Sequence, residues 1–149
     1  MDARLQDRIA RYELAVAFAR ELARDMGQER AFPILQQAFN RVQVQNGRAL
    51  AAQLGSNSLE ALAEHNRRLA EELDGFEVLE VTDREIKTKI TRCVAYEAFE
   101  ALGMPELCRL YCESDHAYIK AFNPDMKLIR TRVIAEGAPY CDHIWALEE

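Results

Sequence analysis

Apolar residues recur at helical spacing through the first half of the chain. Leu5, Ile9, Val16, Ala19 and Ala23 share one helix stripe, and Met26-Gly27 supplies a stop. A second helix is predicted from Glu29–Pro33, where proline suits a first turn, through Leu35, Phe39, Val42 and Leu50 to Gly55. Asn46-Gly47 is expected to break it. Ser56-Asn57-Ser58 offers an N-cap for a third helix carrying Leu59, Leu62, Leu69 and Leu73, ended by Asp74-Gly75.

The period changes after Gly75. Phe76–Val81 is short and β-leaning, Thr82-Asp83 reads as a turn, and Ile86-Lys-Thr-Lys-Ile90 alternates with period two. Cys93 follows at the strand end. Ala95–Leu102 is predicted helical, and Pro105-Glu106 opens a further helix running to Phe122, stopped by Asn123-Pro124. Lys127–Ile134 and Tyr140–Leu147 alternate again around a turn at Glu136-Gly137. The expected fold is α+β. An N-terminal helical layer (residues 1–74) packs on a small, about four-stranded antiparallel sheet with two further helices (75–149), all in one domain.

Composition sharpens this picture. The chain has 149 residues, 49% hydrophobic and 30% charged, which excludes a disordered chain and allows a core without staples. A net charge of −6 with no basic run argues against nucleic-acid or anionic-membrane binding. No apolar run approaches a membrane span, and no signal peptide is evident at the start, so a cytoplasmic location is expected. Residues 1–74 carry ten arginines and no lysine, many paired with acids at helical spacing, as on an exposed face. His65 belongs to that face. The Ala-rich helical layer makes a homodimer reasonable.

All four cysteines lie between Cys93 and Cys141. In a reducing compartment they read as free thiols, a metal site or a catalytic thiol. Cys108, Cys112, Asp115 and Ile119 share one helix stripe, with His116 beside it. An aspartate on such a stripe is unfavourable without a partner or a function. On the last strand Cys141, His143 and Trp145 point to one face. If helix and sheet pack together, Cys112, Asp115, Cys141 and His143 line one pocket. A Cys–His pair with an acid can form a thiolate nucleophile, while the same donors would suit zinc or another divalent metal. No CxxC, HExxH or HxxxH is present, so no cofactor is expected. Gly-rich phosphate loops and a GxSxG elbow are absent too. The aromatics from Tyr96 to Phe122 are expected in the core, with Tyr118 able to offer a hydroxyl.

The ordered pieces of the second half are similar to a known family. They are Thr91-Arg-Cys93, the Tyr96–Phe99 helix, Gly103-Met-Pro105-Glu-Leu107 and Cys112-Glu-Ser-Asp115. Phe122-Asn123-Pro124, Arg130-Thr131 and Glu136-Gly-Ala-Pro-Tyr-Cys141-Asp142-His143 follow. Over about residues 75–149 this set resembles the L-2-amino-thiazoline-4-carboxylic acid hydrolase family. The resemblance implies hydrolytic opening of a cyclic C=N bond, of amidine or imine type, in a small amino-acid-derived ring. Cys112 or Cys141 would attack, and Asp115 or His143 would protonate the departing nitrogen. Asp115 acting as base on water is the variant. Arg130 would hold a substrate carboxylate, with Thr131, Asn123, Tyr118 and Cys93 as further substrate contacts. The ending Gly137-x-x-x-Cys141-x-His143 also looks like that of vinyl-reductase-type binding domains. The alternative is therefore a non-catalytic small-molecule- or metal-binding, sensor-like domain.

Overall fold

The computed structural model describes residues 1–149. Three long helices come first: α1 (Ala3–Met26), α2 (Gln28–Leu54) and α3 (Leu59–Glu72). A hairpin of β1 (Phe76–Val81) and β2 (Glu85–Ile90) follows, then α4 (Val94–Ala101), α5 (Leu107–Glu113) and α6 (Asp115–Phe122). β3 (Met126–Ile129), a 3-10 turn at Ile134–Glu136 and β4 (Cys141–Leu147) complete the order. The architecture is α+β, as the periodicity predicts.

Local chemistry explains the boundaries. The Asp2 carboxylate accepts from the Leu5 N–H at 3.0 Å to start α1, and Ser58 Oγ accepts from the Ala61 N–H at 3.1 Å to start α3. Gly27, at φ 81°, separates α1 from α2 in a conformation that side chains disfavour.

Three expectations are corrected, the first being the strand expected over Lys127–Ile134, which ends at Ile129, with Ile134 starting a 3-10 turn. Asn46-Gly47 does not break α2, which runs through it unbroken. Gly47 is there because α6 crosses at that point: a Cβ would sit 2.3 Å from the Tyr118 carbonyl oxygen. The helix predicted over Pro105–Phe122 is two helices, which gives three short helices in the second half rather than two. Ser114 separates them, with ψ at −12° and its N–H shared between the Leu110 and Tyr111 carbonyls.

The sheet is antiparallel throughout, in the order β1-β2-β4-β3. Ile86 opposes Trp145 and Thr88 opposes His143, so one face carries the apolar side chains of both central strands. That face packs on Leu50 of α2, Leu59 and Leu62 of α3, and Ile119 and Phe122 of α6. A second core joins Val16 and Ala19 of α1 to Phe99 of α4 and to Leu107 and Cys108 of α5. Each large apolar side chain buried there contributes about 1.5–3 kcal/mol. α2 contacts α1, α5 and α6, so it lies between the two cores, and α5 leads into α6 across Ser114. No helix is long and apolar enough to cross a membrane.

Candidate active site

Asp115 opens α6, at the positive end of its dipole. Its side chain is 18% exposed, and Arg130, 7% exposed, lies beside it. Arg130 Nη1 reaches Asp115 Oδ2 at 3.3 Å, while Arg130 Nη2 donates to the Cys112 carbonyl at 3.0 Å. Gln43 of α2, itself 6% exposed, donates from Nε2 to Asp115 Oδ1 at 3.2 Å. Burial pushes the carboxyl up to about 6, and the Arg130 charge opposes this only in part. Three elements therefore hold one acid that exchanges protons near neutral pH.

The thiols gather beside it. Cys93 caps α4, and its sulfur accepts from the Tyr96 N–H at 3.3 Å. The neighbouring Cys108 thiol lowers Cys93 to about 7 against the opposing effect of burial, and the Tyr96 and Ala95 N–H groups add to it. Cys108 is pushed up by its two thiol neighbours, with Cys112 Sγ at 3.9 Å, and stays protonated. Burial pushes Cys141 up to about 11, although the Ile134 N–H bonds its sulfur at 3.2 Å. Cys93 thus has the most thiolate character of the three. Cys93, Cys112 and Arg130 are near enough to Cys141 for their charges to act on it.

The remaining predicted residues divide. Tyr118 packs edge-on to Trp145, with ring centroids 6.2 Å apart, and burial followed by the Asp115 charge raises it to about 12. His143 also meets Trp145, at 5.6 Å, and burial with the nearby Arg130 charge lowers it to about 4. It is a neutral imidazole at pH 7, and its surroundings oppose its taking up a proton. Asn123 is spent on its loop: Nδ2 donates to the Asn57 carbonyl and Oδ1 accepts from the Asp125 N–H, both at 2.8 Å. Thr131 is exposed and bonded to Asp142, whose carboxylate takes the Thr131 N–H at 2.8 Å and the Arg132 N–H at 2.6 Å. Arg130 is turned inward on Asp115 and Cys112, not outward to solvent.

Reading along the chain missed Gln43, Arg8, Tyr12 and Tyr111. Gln43 had a signal, because it is the polar residue on the stripe Phe39, Gln43, Gly47, Leu50. A cleft of about 490 Å³ opens between α1 and α2, with Gln43 and Tyr111 among its lining residues. Cys93, Cys112, Cys141 and His143 do not line it. No group of three or more His, Cys, Asp or Glu is arranged to hold a metal ion.

The fold is thus a small α+β scaffold in which an arginine and an amide hold one buried acid, with four free cysteines in the same half of the chain. The chain belongs to the L-2-amino-thiazoline-4-carboxylic acid hydrolase family, whose pattern matches residues 7–145. The match takes in the N-terminal helices, so the likeness read over residues 75–149 extends to nearly the whole chain. Membership places the chain among hydrolases. No curated protein matches it.

Proposed function

We propose that this protein hydrolytically opens a cyclic C=N bond in a small amino-acid-derived ring, of which L-2-amino-thiazoline-4-carboxylic acid is the first candidate. The observation that carries the reading is Asp115. Its carboxyl, near 6, is held by Arg130 and Gln43 and sits in a chain whose family is one of hydrolases. An acid–base group works best when its pKa lies close to the working pH.

Cys93 is the best-activated nucleophile among the thiols whose environments differ. Its thiolate adds to the ring carbon, and the C=N electron pair moves to nitrogen, which takes the proton of Asp115. The bond from that carbon to the ring's other heteroatom then breaks: the heteroatom leaves with the electron pair, the nitrogen lone pair re-forms C=N, and the leaving atom later takes the second proton of the water. Water adds to the carbon, the Asp115 carboxylate takes a proton from it, and the carbon–sulfur bond breaks to return the thiolate. Cys112 and Cys141 border the reacting centre, and His143, kept neutral by burial and the Arg130 charge, takes no proton in the cycle. Arg130 positions Asp115. In the variant without a covalent step, Asp115 is the base that activates water.

The test is incubation with L-2-amino-thiazoline-4-carboxylic acid and a panel of cyclic amidines and imines, with ring-opened products followed by mass spectrometry. Turnover of one member, reduced at least a hundredfold in Asp115→Asn, is the expected result. Cys93→Ala separates the covalent route from the water route: lost activity supports the first, retained activity the second. If no member of the panel is opened, or if Asp115→Asn turns over at the wild-type rate, the reading is overturned.

A further inference from the structure

The cleft between α1 and α2 is absorbed by none of this chemistry. Its walls are apolar and aromatic: Tyr12, Phe18, Leu35, Phe39, Val42 and Tyr111. Tyr12, Phe39 and Tyr111 are locked by packing on Phe99, with Tyr12 stacked on that ring at 4.6 Å, so the walls are preformed. Phe18 and Val42 are 62% and 55% exposed at the cleft. The volume, about 490 Å³, lies in the range of roughly 300–1,000 Å³ that suits ligands larger than a single amino-acid ring.

One feature gives the cleft chemical direction. Arg8 lines it half-buried, donating from Nη1 to the Tyr12 hydroxyl at 2.9 Å. Arg11 pairs with Asp7 at 2.8 Å, whereas Arg8 pairs with no carboxylate. A half-buried cation facing neutral phenols in an apolar cleft favours an anion there, and a guanidinium fork binds a carboxylate by two parallel bonds. We infer that the α1–α2 cleft is a binding site for an amphiphilic carboxylate, its anion on Arg8 and its aromatic or alkyl body between Phe18, Leu35, Phe39 and Val42. The Arg8 charge supplies the anchor, and the apolar walls supply the affinity. Gln43 joins the cleft lining to Asp115. An occupant therefore reaches the acid only through Gln43, since neither Asp115 nor the thiols line the cleft.

The probe is 4-phenylbutyrate, titrated calorimetrically into the full chain beside its neutral amide. Saturable one-to-one binding is expected, with the acid at least tenfold tighter than the amide. Arg8→Gln should weaken the acid at least tenfold and leave the amide unchanged. Ala38→Trp, which fills the cleft and keeps Arg8, should abolish both, with helix content unchanged by circular dichroism. Equal affinity for acid and amide, an Arg8→Gln variant that binds as the wild type does, or no binding of either probe would overturn the inference. So would a stable dimer that takes up the probe only once Ile34→Glu, a change at a 51%-exposed α2 side chain, has broken it apart, because a second copy would then occupy the face. The readout is binding and not turnover, so failure here leaves the ring-opening reading standing, and the converse holds.

Discussion

Asp115 makes an unusual stability prediction, because its ion pair with Arg130 is buried. Removing a carboxylate from an ion pair is ordinarily expected to destabilise a protein. Here burial outweighs the pairing, so the folded carboxyl titrates near 6 against an ordinary value of 3.8. A folded-state value above the unfolded one means that the folded chain holds the proton more tightly. The resulting stabilisation is fully present below about pH 4 and is lost as pH rises through 6. A gap of about two pH units corresponds to about 3 kcal/mol. With the carboxylate 18% exposed, solvent screening removes little of it. Asp115→Asn keeps the shape and permanently mimics the protonated form. The variant should therefore lead by only about 0.5 kcal/mol at pH 4 and by up to about 3 kcal/mol by pH 7.5. The assay is urea unfolding of both chains at half-unit steps from pH 4 to 7.5. A denaturant slope of about 2 kcal/mol/M would separate the midpoints by about 1.5 M at the alkaline end. Other titrating groups are common to both chains and cancel. A difference that stays flat, or a variant that falls behind as pH rises, would show that Arg130 dominates and would refute the reasoning.

Three further outcomes are expected. Gly47→Ala should destabilise by about 2–3 kcal/mol, because the methyl meets the Tyr118 carbonyl oxygen at 2.3 Å and forces α2 from α6; a melting temperature within a degree of wild type would count against that crossing. At pH 7.5 a brief iodoacetamide pulse read by peptide mass spectrometry should label Cys93 before Cys108 or Cys141, since its thiol lies near 7 and theirs are raised; first labelling of Cys141 would reverse that order. Asn66 is 5% exposed and its buried Nδ2 has no hydrogen-bond partner. Asn66→Leu should therefore stabilise by about 1 kcal/mol, seen as a melting temperature a few degrees higher, and a drop would mean that the amide is satisfied in solution.

Much of this molecule could be read along the chain, for local reasons. Ser58 caps a helix through a hydroxyl three residues from its partner, and Ile86-Lys-Thr-Lys-Ile90 alternates because successive strand side chains point to opposite faces. The inward stripe of Cys108, Cys112, Asp115 and Ile119 marked a helix and the acid on it, although that stripe spans α5 and α6. The same local logic misread Gly47 as a break, because a glycine at a helix crossing and a glycine at a helix stop look alike until the second helix is in place. It also ran α5 and α6 together, since nothing in the composition marks the tightening at Ser114.

The partners of the site lay beyond such reading. Gln43 and Asp115 are 72 residues apart, Arg130 is 15 residues beyond Asp115, and their meeting depends on α2 packing across α6. The pKa of Asp115 depends on that packing, because desolvation belongs to the surroundings and not to the residue type. The choice of Cys93 over Cys141 rests on its place at the α4 cap beside Cys108, a contact between elements. Periodicity and capping, which act over a few residues, thus made the elements and the acid legible. Burial, charge environment and the cleft beside Arg8 arise only where distant segments meet.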